Sequence, residues 1–266
     1  MQLSKLENVT VGADPEVFVA DMSGNITSEI GRVGGSKDYP RPVTDGGVQE
    51  DDVLAEFNIN PAKSKIEFVC NITNVMHELK NILQNNDLQP VIIPSHKFTP
   101  QELDSFGPDA MEFGCSSEWN AWDNKVMPRP KGDKVNLRTA GGHVHVGYQD
   151  PDHFTNVSLI KMMDYAIGIP SVLIDSDKQR RRLYGKAGSM RHKDYGVEYR
   201  TLSNFWLNSD ELTSWVYDRT LWCTSNLHRL PEFMEAYDSK EVKRIINRSD
   251  ASSATDVVYE LGLEVI

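Results

Sequence analysis

Four short stretches of this 266-residue chain alternate ionisable and apolar residues with a period of two. They are "ADPEVF" with Asp14 and Glu16, "EDDVLAEF" with Glu50, Asp52 and Glu56, "GGHVHVG" with His143 and His145, and "GVEYRTLS" with Glu198 and Arg200. Successive side chains of a strand point to opposite faces, so each stretch lays its ionisable groups on one face and its apolar residues on the other. Same-face neighbours sit about 6.5–7 Å apart along a strand. Side by side, such strands make a floor of carboxylates and imidazoles over an apolar underside. The pattern therefore asks for a sheet with one polar face and something packed beneath the other.

The rest of the chain supplies that packing. Residues 9–21 read as the first strand, and 23–47, rich in Gly, Pro and Ser, as a long turn or hairpin. "QEDDVLAEFNIN" reads as a second strand whose apolar row is Val53, Ala55, Phe57 and Ile59. Asn60-Pro61 then suggests an N-cap and first helical position, followed by a stripe of Ile66, Val69, Cys70, Thr73, Met76, Leu79 and Leu83. "LQPVIIPS" predicts another strand, and residues 106–137 a loop. "TNVSLIKMMDYAIGIPSVLI" predicts a second helical segment, and "SDELTSWVYDRTLWCTSNLHRL" a third, capped by Ser209 or Asp210. Short helices are expected over the last thirty residues. The expected class is α+β, a mixed or antiparallel sheet with helices on one face, and residues 1–266 are expected to form a single domain.

Composition excludes some functions. The net charge of −11 argues against broad nucleic-acid binding, which rests on neutralising phosphates. Against that background "DKQRRRLYGKAGSMRHK" concentrates seven Lys and Arg in seventeen residues, which suits a polyphosphate ligand better than a duplex. No run approaches the ~18 uninterrupted apolar residues of a membrane span, so no membrane partner is expected. The N-terminus lacks the apolar segment of a signal peptide. Cys70, Cys115 and Cys223 form neither a disulfide framework nor a CxxC pair, which favours a reducing cytoplasm.

So many acids on one face cannot all ionise without a compensating charge. Carboxylates with one or two imidazoles are a hard donor set, suited to Mg2+ or Mn2+ rather than to a closed zinc site. Arg180, Arg181, Arg182, Lys186, Arg191 and Arg200 are equipment for gripping phosphate, and metals plus arginines on a polyphosphate are the parts of phosphoryl transfer. Each feature also has a bland reading: a structural HxH, a solvated acidic face, a surface Arg run. Those readings would have to hold at four strands and one basic loop together. Trp119 and Trp122 fit either a substrate-facing loop or a packed aromatic anchor.

The motifs "GADPEVFV", "DDVLAEFNINPA", "FGCSSEWNAW", "GGHVHVGY" and "RRRLYGKAGSMRHKDYGVEYRTLSNFW", in that order, resemble the glutamine synthetase and glutamate–cysteine ligase superfamily. They are most similar to its small amidoligase branch, the phage-type COOH–NH2 ligases, over roughly residues 10–207. The resemblance implies a sheet of that superfamily's type with a polar concave face. It also implies an enzyme that uses ATP and Mg2+ (or Mn2+) to phosphorylate a carboxylate and then lets an amine displace the phosphate.

Carried over motif by motif, one metal falls to Glu16 and Glu56 with Glu50, and a second to Asp14, His143 and Glu198. Arg200 and one or more of Arg180, Arg181 and Arg182 would contact phosphate or acyl phosphate. Lys186 and Arg191 would face the nucleotide or the substrate carboxylate, and His145 would support a ligand or touch substrate. Two departures stand out. Asp14 replaces the Glu usual in the larger enzymes, and spacing leaves Glu50, Asp51 and Asp52 open as the third ligand. The implied substrates are an amino acid, peptide or other small carboxylate and an amine. The alternatives are a guanidino-kinase-like phosphotransferase, kept open by Cys115, and an inactive nucleotide-binding protein. Neither motifs nor composition choose an oligomeric state, and a phage-encoded enzyme would work in its bacterial host's cytoplasm.

Overall fold

The computed structural model describes residues 3–111, 118–127, 136–175 and 177–266. Its strands are β1 (Thr10–Asp21), β2 (Ile26–Thr27), β3 (Arg41–Val43), β4 (Gly46–Asp51), β5 (Leu54–Ile59), β6 (Leu88–Val91), β7 (Ser95–Lys97), β8 (Glu118–Asn120), β9 (Lys125–Met127), β10 (Leu137–Thr139), β11 (Gly142–Gly147), β12 (Ser189–Lys193) and β13 (Gly196–Tyr199). Its helices are α1 (Lys65–Gln84), α2 (Pro100–Phe106), α3 (His153–Met163), α4 (Ile169–Ile174), α5 (Arg180–Leu183), α6 (Asp210–Ser225), α7 (Leu230–Ala236), α8 (Ser239–Arg248) and α9 (Ala251–Glu260). The class is α+β. The main sheet runs β3-β4-β5-β1-β11-β13-β12-β8-β9, with β2 and β6 also pairing with β1.

β1 is the spine. Its first half pairs antiparallel with β11, matching Asp14 to His143 and Gly12 to His145. Near its middle Glu16 lies opposite Glu56 of β5. β13 then sets Glu198 between His145 of β11 and Arg191 of β12. The period-two pattern works as expected along β1, β5, β11 and β13, but not across "EDDVLAEF", where Glu50 pairs with Ala55 and faces away from Glu56. Val11, Ala13, Val17 and Val19 of β1, Ala55 and Phe57 of β5, Val144 and Val146 of β11, and Val197 and Tyr199 of β13 all enter one core. α1 packs on β4, β5 and β6, and α3 on β12 and β13, covering that apolar face. Phe18 lies on the polar side of β1 by alternation but enters a second, smaller core with Leu54, Phe98 and Leu103.

Three expectations change. "QEDDVLAEFNIN" is two strands, because Asp52 takes φ 56° and turns β4 back on β5. α1 starts later than Asn60-Pro61: Ala62 exchanges backbone bonds with Val11 (2.8 and 2.9 Å), and Ser64 is the N-cap, accepting from Glu67 N–H at 3.2 Å. The buried stripe of α1 is accordingly Phe68, Ile72, Val75, Leu79, Ile82 and Leu83, while Ile66 is 77% exposed. Finally, the region expected as a loop contributes β8 and β9 to the sheet edge.

One helical stretch, His153–Ile174, is long and apolar enough to cross a membrane, but 83% of its apolar window is buried inside the fold, as in a core helix. It contains a π-helical turn, Asp164–Gly168.

Candidate active site

The polar face carries a cavity lined by Asp14 and Glu16 of β1, Gln49 and Asp51 of β4, Glu56 and Asn58 of β5, His143 of β11, Arg191 and Lys193 of β12, Arg200 after β13, and Lys37 and Pro40 from the β2–β3 loop. Charge is divided across it. Acids crowd the β1, β4 and β5 half; cations crowd the β12 and β13 half.

On the acid half Glu16 and Glu56 are cross-strand partners, and both are buried. Like charges directly opposite one another repel, and burial removes the water that would screen them. Burial, with the charge of Asp51 adding to it, pushes Glu16 up to about 8 and Glu56 well above the usual carboxylate range. Burial raises Asp51 as well. Each acid has one fixed neighbour: Glu16 Oε2 accepts from Gly141 N–H at 2.6 Å, and Glu56 Oε2 from Gln49 Nε2 at 2.7 Å. A divalent cation is the chemistry this half suits, since oxygen donors at this density would otherwise have to stay protonated.

Between the halves, Asp14, His143 and Glu198 each offer a ligand atom, all within 4.8 Å of one another. His143 Nδ1 lies 3.3 Å from Asp14 Oδ1 and 3.7 Å from Glu198 Oε1. Burial and the nearby Arg200 charge hold the imidazole down at about 3, so it is neutral and can donate a lone pair. His145 Nε2 stands 2.9 Å from Asp14 Oδ1 on the other side. Two carboxylates and a neutral imidazole are a hard donor set that fits Mg2+ or Mn2+.

The cationic half converges on Glu198, which contacts Lys193 Nζ at 3.0 Å, Arg191 Nη1 at 3.3 Å, and Arg200 Nη1. Arg200 is further held by Glu118 at 2.8 Å through Nε and by the Tyr184 hydroxyl. A guanidinium oriented on three sides presents a fixed direction to an anion. Glu118, Tyr184 and Lys193 were not singled out by sequence reasoning. The signal for Lys193 was its alternation with Arg191 in "MRHK"; nothing local marks Glu118, which reaches Arg200 only through sheet order.

The other expected residues divide. Glu50 does not line the cavity. Its carboxylate turns to the opposite side of β4 and accepts from Gly31 N–H (3.0 Å) and Gly34 N–H (2.9 Å). The hairpin register gives Asp51 the cavity position instead.

Arg180 is buried and does not line the cavity; its guanidinium lies over the Tyr184 ring at 5.4 Å and donates to Thr201 O at 2.8 Å. Arg181 is buried away from the cavity, donating to Ser171 Oγ (2.8 Å) and Ser249 Oγ (3.4 Å), so its expected phosphate contact is not available. Arg182, in α5, and Lys186, which follows that helix, do not line the cavity either. Trp122 is an anchor, its Nε1–H donating to Asp164 at 2.6 Å, and Trp119 packs edge-on against His153. Cys115 lies outside the described residues.

A family profile described as "Phage phiEco32-like COOH.NH2 ligase-type 2" matches residues 122–261, more than half of the chain. The chain belongs to that family. It is a carboxylate–amine ligase, an enzyme that forms amide bonds from a carboxylate and an amine. No curated protein matches the ligase in sequence. A solved structure described as "Apo GmaS without ligand" is similar at 10% identity and a TM-score of 0.42, covering 96% of this chain and 68% of that one.

Proposed function

We propose that residues 1–266 form one catalytic domain that joins a small carboxylate, such as an amino acid or peptide, to an amine at the expense of ATP, with Mg2+ or Mn2+. The observation that carries this reading is the division of charge in one cavity. A buried, mutually opposed Glu16–Glu56 pair and the Asp14–His143–Glu198 cluster face a wall of Arg191, Lys193 and Arg200. In this reading Glu16, Glu56 and Asp51 hold one cation, and Asp14, His143 and Glu198 the other. Bound there, the cations would neutralise a transferring phosphoryl group.

A carboxylate resists amines because its leaving group would be oxide. Its oxygen therefore takes the γ-phosphoryl group from ATP, with ADP leaving. The amine, having lost a proton, then attacks the acyl carbon and phosphate departs. Arg200, held from three sides, is positioned for the phosphoryl and acyl-phosphate oxygens, and Arg191 and Lys193 for those of the nucleotide. A neighbouring cavity shares Asp14 and Asn58 and is walled by Gly12, Ile59, Pro61, Gly147 and Tyr195. Its apolar floor and aromatic rim suit the nucleotide base. The reaction belongs in a reducing, ATP-rich cytoplasm, that of a bacterial host if the chain is phage-encoded.

The test is thermal unfolding with ATP alone and with ATP plus Mg2+, in the wild type and in a Glu56→Gln, His143→Ala double variant. Ligand at about 100 times its Kd stabilises by about 2.7 kcal/mol. The expected result is a wild-type shift that requires Mg2+ and disappears in the variant. A wild type indifferent to Mg2+–ATP overturns the reading.

A further inference from the structure

The loop between β2 and β3 is built to hold one lysine over the cavity. Ser36 and Tyr39 exchange backbone hydrogen bonds in both directions at 3.0 Å, making Lys37 and Asp38 the two tip residues of a tight turn. Behind that tip the loop is pinned at several points. Val33 is fully buried in the main core. The Glu50 carboxylate accepts from Gly31 and Gly34, Arg41 Nη1 donates to Val33 O at 3.1 Å, and Asn86 Nδ2 donates to Arg32 O at 3.1 Å. Gly35 has φ +83°, and a Cβ there would meet Arg41 N and Val48 O at 2.6 Å, so its backbone lies directly on β3 and β4. The consequence of all this packing is that Lys37 and Pro40 line the cavity; Lys37 does so from the exposed tip it shares with Asp38.

Lys37 enters on the acid side. The other cavity-lining cations, Arg191, Lys193 and Arg200, come from the far wall, and all three are drawn to Glu198. The loop that carries it leads into β3, next to β4 and β5 at the acid end of the sheet, so Lys37 stands on the side of the acids for which the proposed function needs a cation. Lysine suits two successive duties there, because it is a compact charge on a flexible stem that can re-aim from a fixed tip.

We infer that Lys37 is an anion-gripping residue of this ligase. It balances the acid half of the cavity before the cations arrive, and holds phosphoryl or carboxylate oxygens once they have. The inference rests on the reading that divalent cations and a phosphoryl group meet in this cavity. Glu50, pinning Gly31 and Gly34, is then a positioning residue for Lys37.

The two duties respond oppositely to one substitution, which makes the test specific. Mn2+ binding alone, and inorganic phosphate binding at saturating Mn2+, are measured by titration calorimetry for the wild type, Lys37→Met and Lys37→Arg. Lys37→Met removes a charge that competes with Mn2+, so Mn2+ binds severalfold tighter. It also removes a charge-assisted hydrogen bond, so phosphate binds about tenfold weaker or more. Lys37→Arg keeps most of the phosphate affinity. Tighter Mn2+ with unchanged phosphate would reduce Lys37 to a counter-charge and overturn the inference, as would no change in either. A wild type that binds no Mn2+ overturns the metal reading itself, and the inference with it.

Discussion

Asp164 is buried behind the sheet, where its carboxyl accepts from Trp122 Nε1 (2.6 Å), Tyr199 OH (2.8 Å) and Thr201 Oγ1 (3.3 Å). Tyr199, the last residue of β13, lies between Glu198 and Arg200, so this carboxyl ties the back of the strand whose front faces the cavity. Burial raises Asp164 from 3.8 to about 6, the three hydrogen bonds opposing it. A raised carboxyl contributes stability that is complete below its unfolded value and is lost as pH rises through its folded value. Between pH 4 and about 6.5 the loss is on the order of 3 kcal/mol. Asp164→Asn cannot lose a proton, so the wild type's advantage over it should shrink by that amount across this window in urea titrations. A difference that stays flat with pH would show that Asp164 is not shifted. The candidate site was only partly readable at this scale. Asp14, Glu16, Glu56, His143, Glu198 and Arg200 follow from alternation within single strands. Glu50 and Asp51 are adjacent and both acidic, so composition cannot separate them; the turn at Asp52 does.

Among the elements, β11 depends on a close approach at its first residue. A Cβ on Gly142 would come within 2.2 Å of Ser203 O and 2.4 Å of Trp206 Nε1. That indole donates to Gly142 O at 3.1 Å, and Gly142 N–H donates to Leu202 O at 3.0 Å. β11 is thereby locked to the segment that follows β13, which sets where His143 stands relative to Glu198 and Arg200. Overpacking of this kind costs about 1–3 kcal/mol. Gly142→Ala should lower the chemical-denaturation midpoint accordingly and reduce Mn2+ affinity at the same time. Full stability in that variant would mean the 201–206 segment yields easily. The elements themselves were legible where periodicity was strong, as in β1, β11, β13 and the 153–174 helix. β8 and β9 were not, because three-residue edge strands carry too little pattern to read. The start of α1 was misplaced because Ala62 is engaged by Val11, a contact invisible to local capping signals.

For the whole molecule, a cavity dense in carboxylates is a standing cost on stability that cations offset. Glu16, raised to about 8, contributes stability below its unfolded value of 4.5 and loses it progressively as pH rises to 8, on the order of 5 kcal/mol. Glu16→Gln can still accept from Gly141 N–H and carries no such loss. In metal-free buffer at pH 8 the variant should melt several degrees above the wild type, and Mg2+ should narrow the gap by stabilising only the wild type. A variant that melts lower would argue that Glu16 is well accommodated as an anion.

The chain's own order of residues determined which side chains share a face, because a strand's period is two whatever it packs against. It therefore determined the polar floor, the apolar underside and the α+β class. Strand order, cross-strand register and the path of the β2–β3 loop were decided only in three dimensions. These rest on pairings between residues distant in sequence, such as Glu16 with Glu56 or Glu118 with Arg200, and on turns that invert a face with a single left-handed residue. That is why sequence could nominate candidate ligands on the floor, while the fold alone exchanged Glu50 for Asp51, withdrew Arg181 from the cavity and brought Lys37 to it.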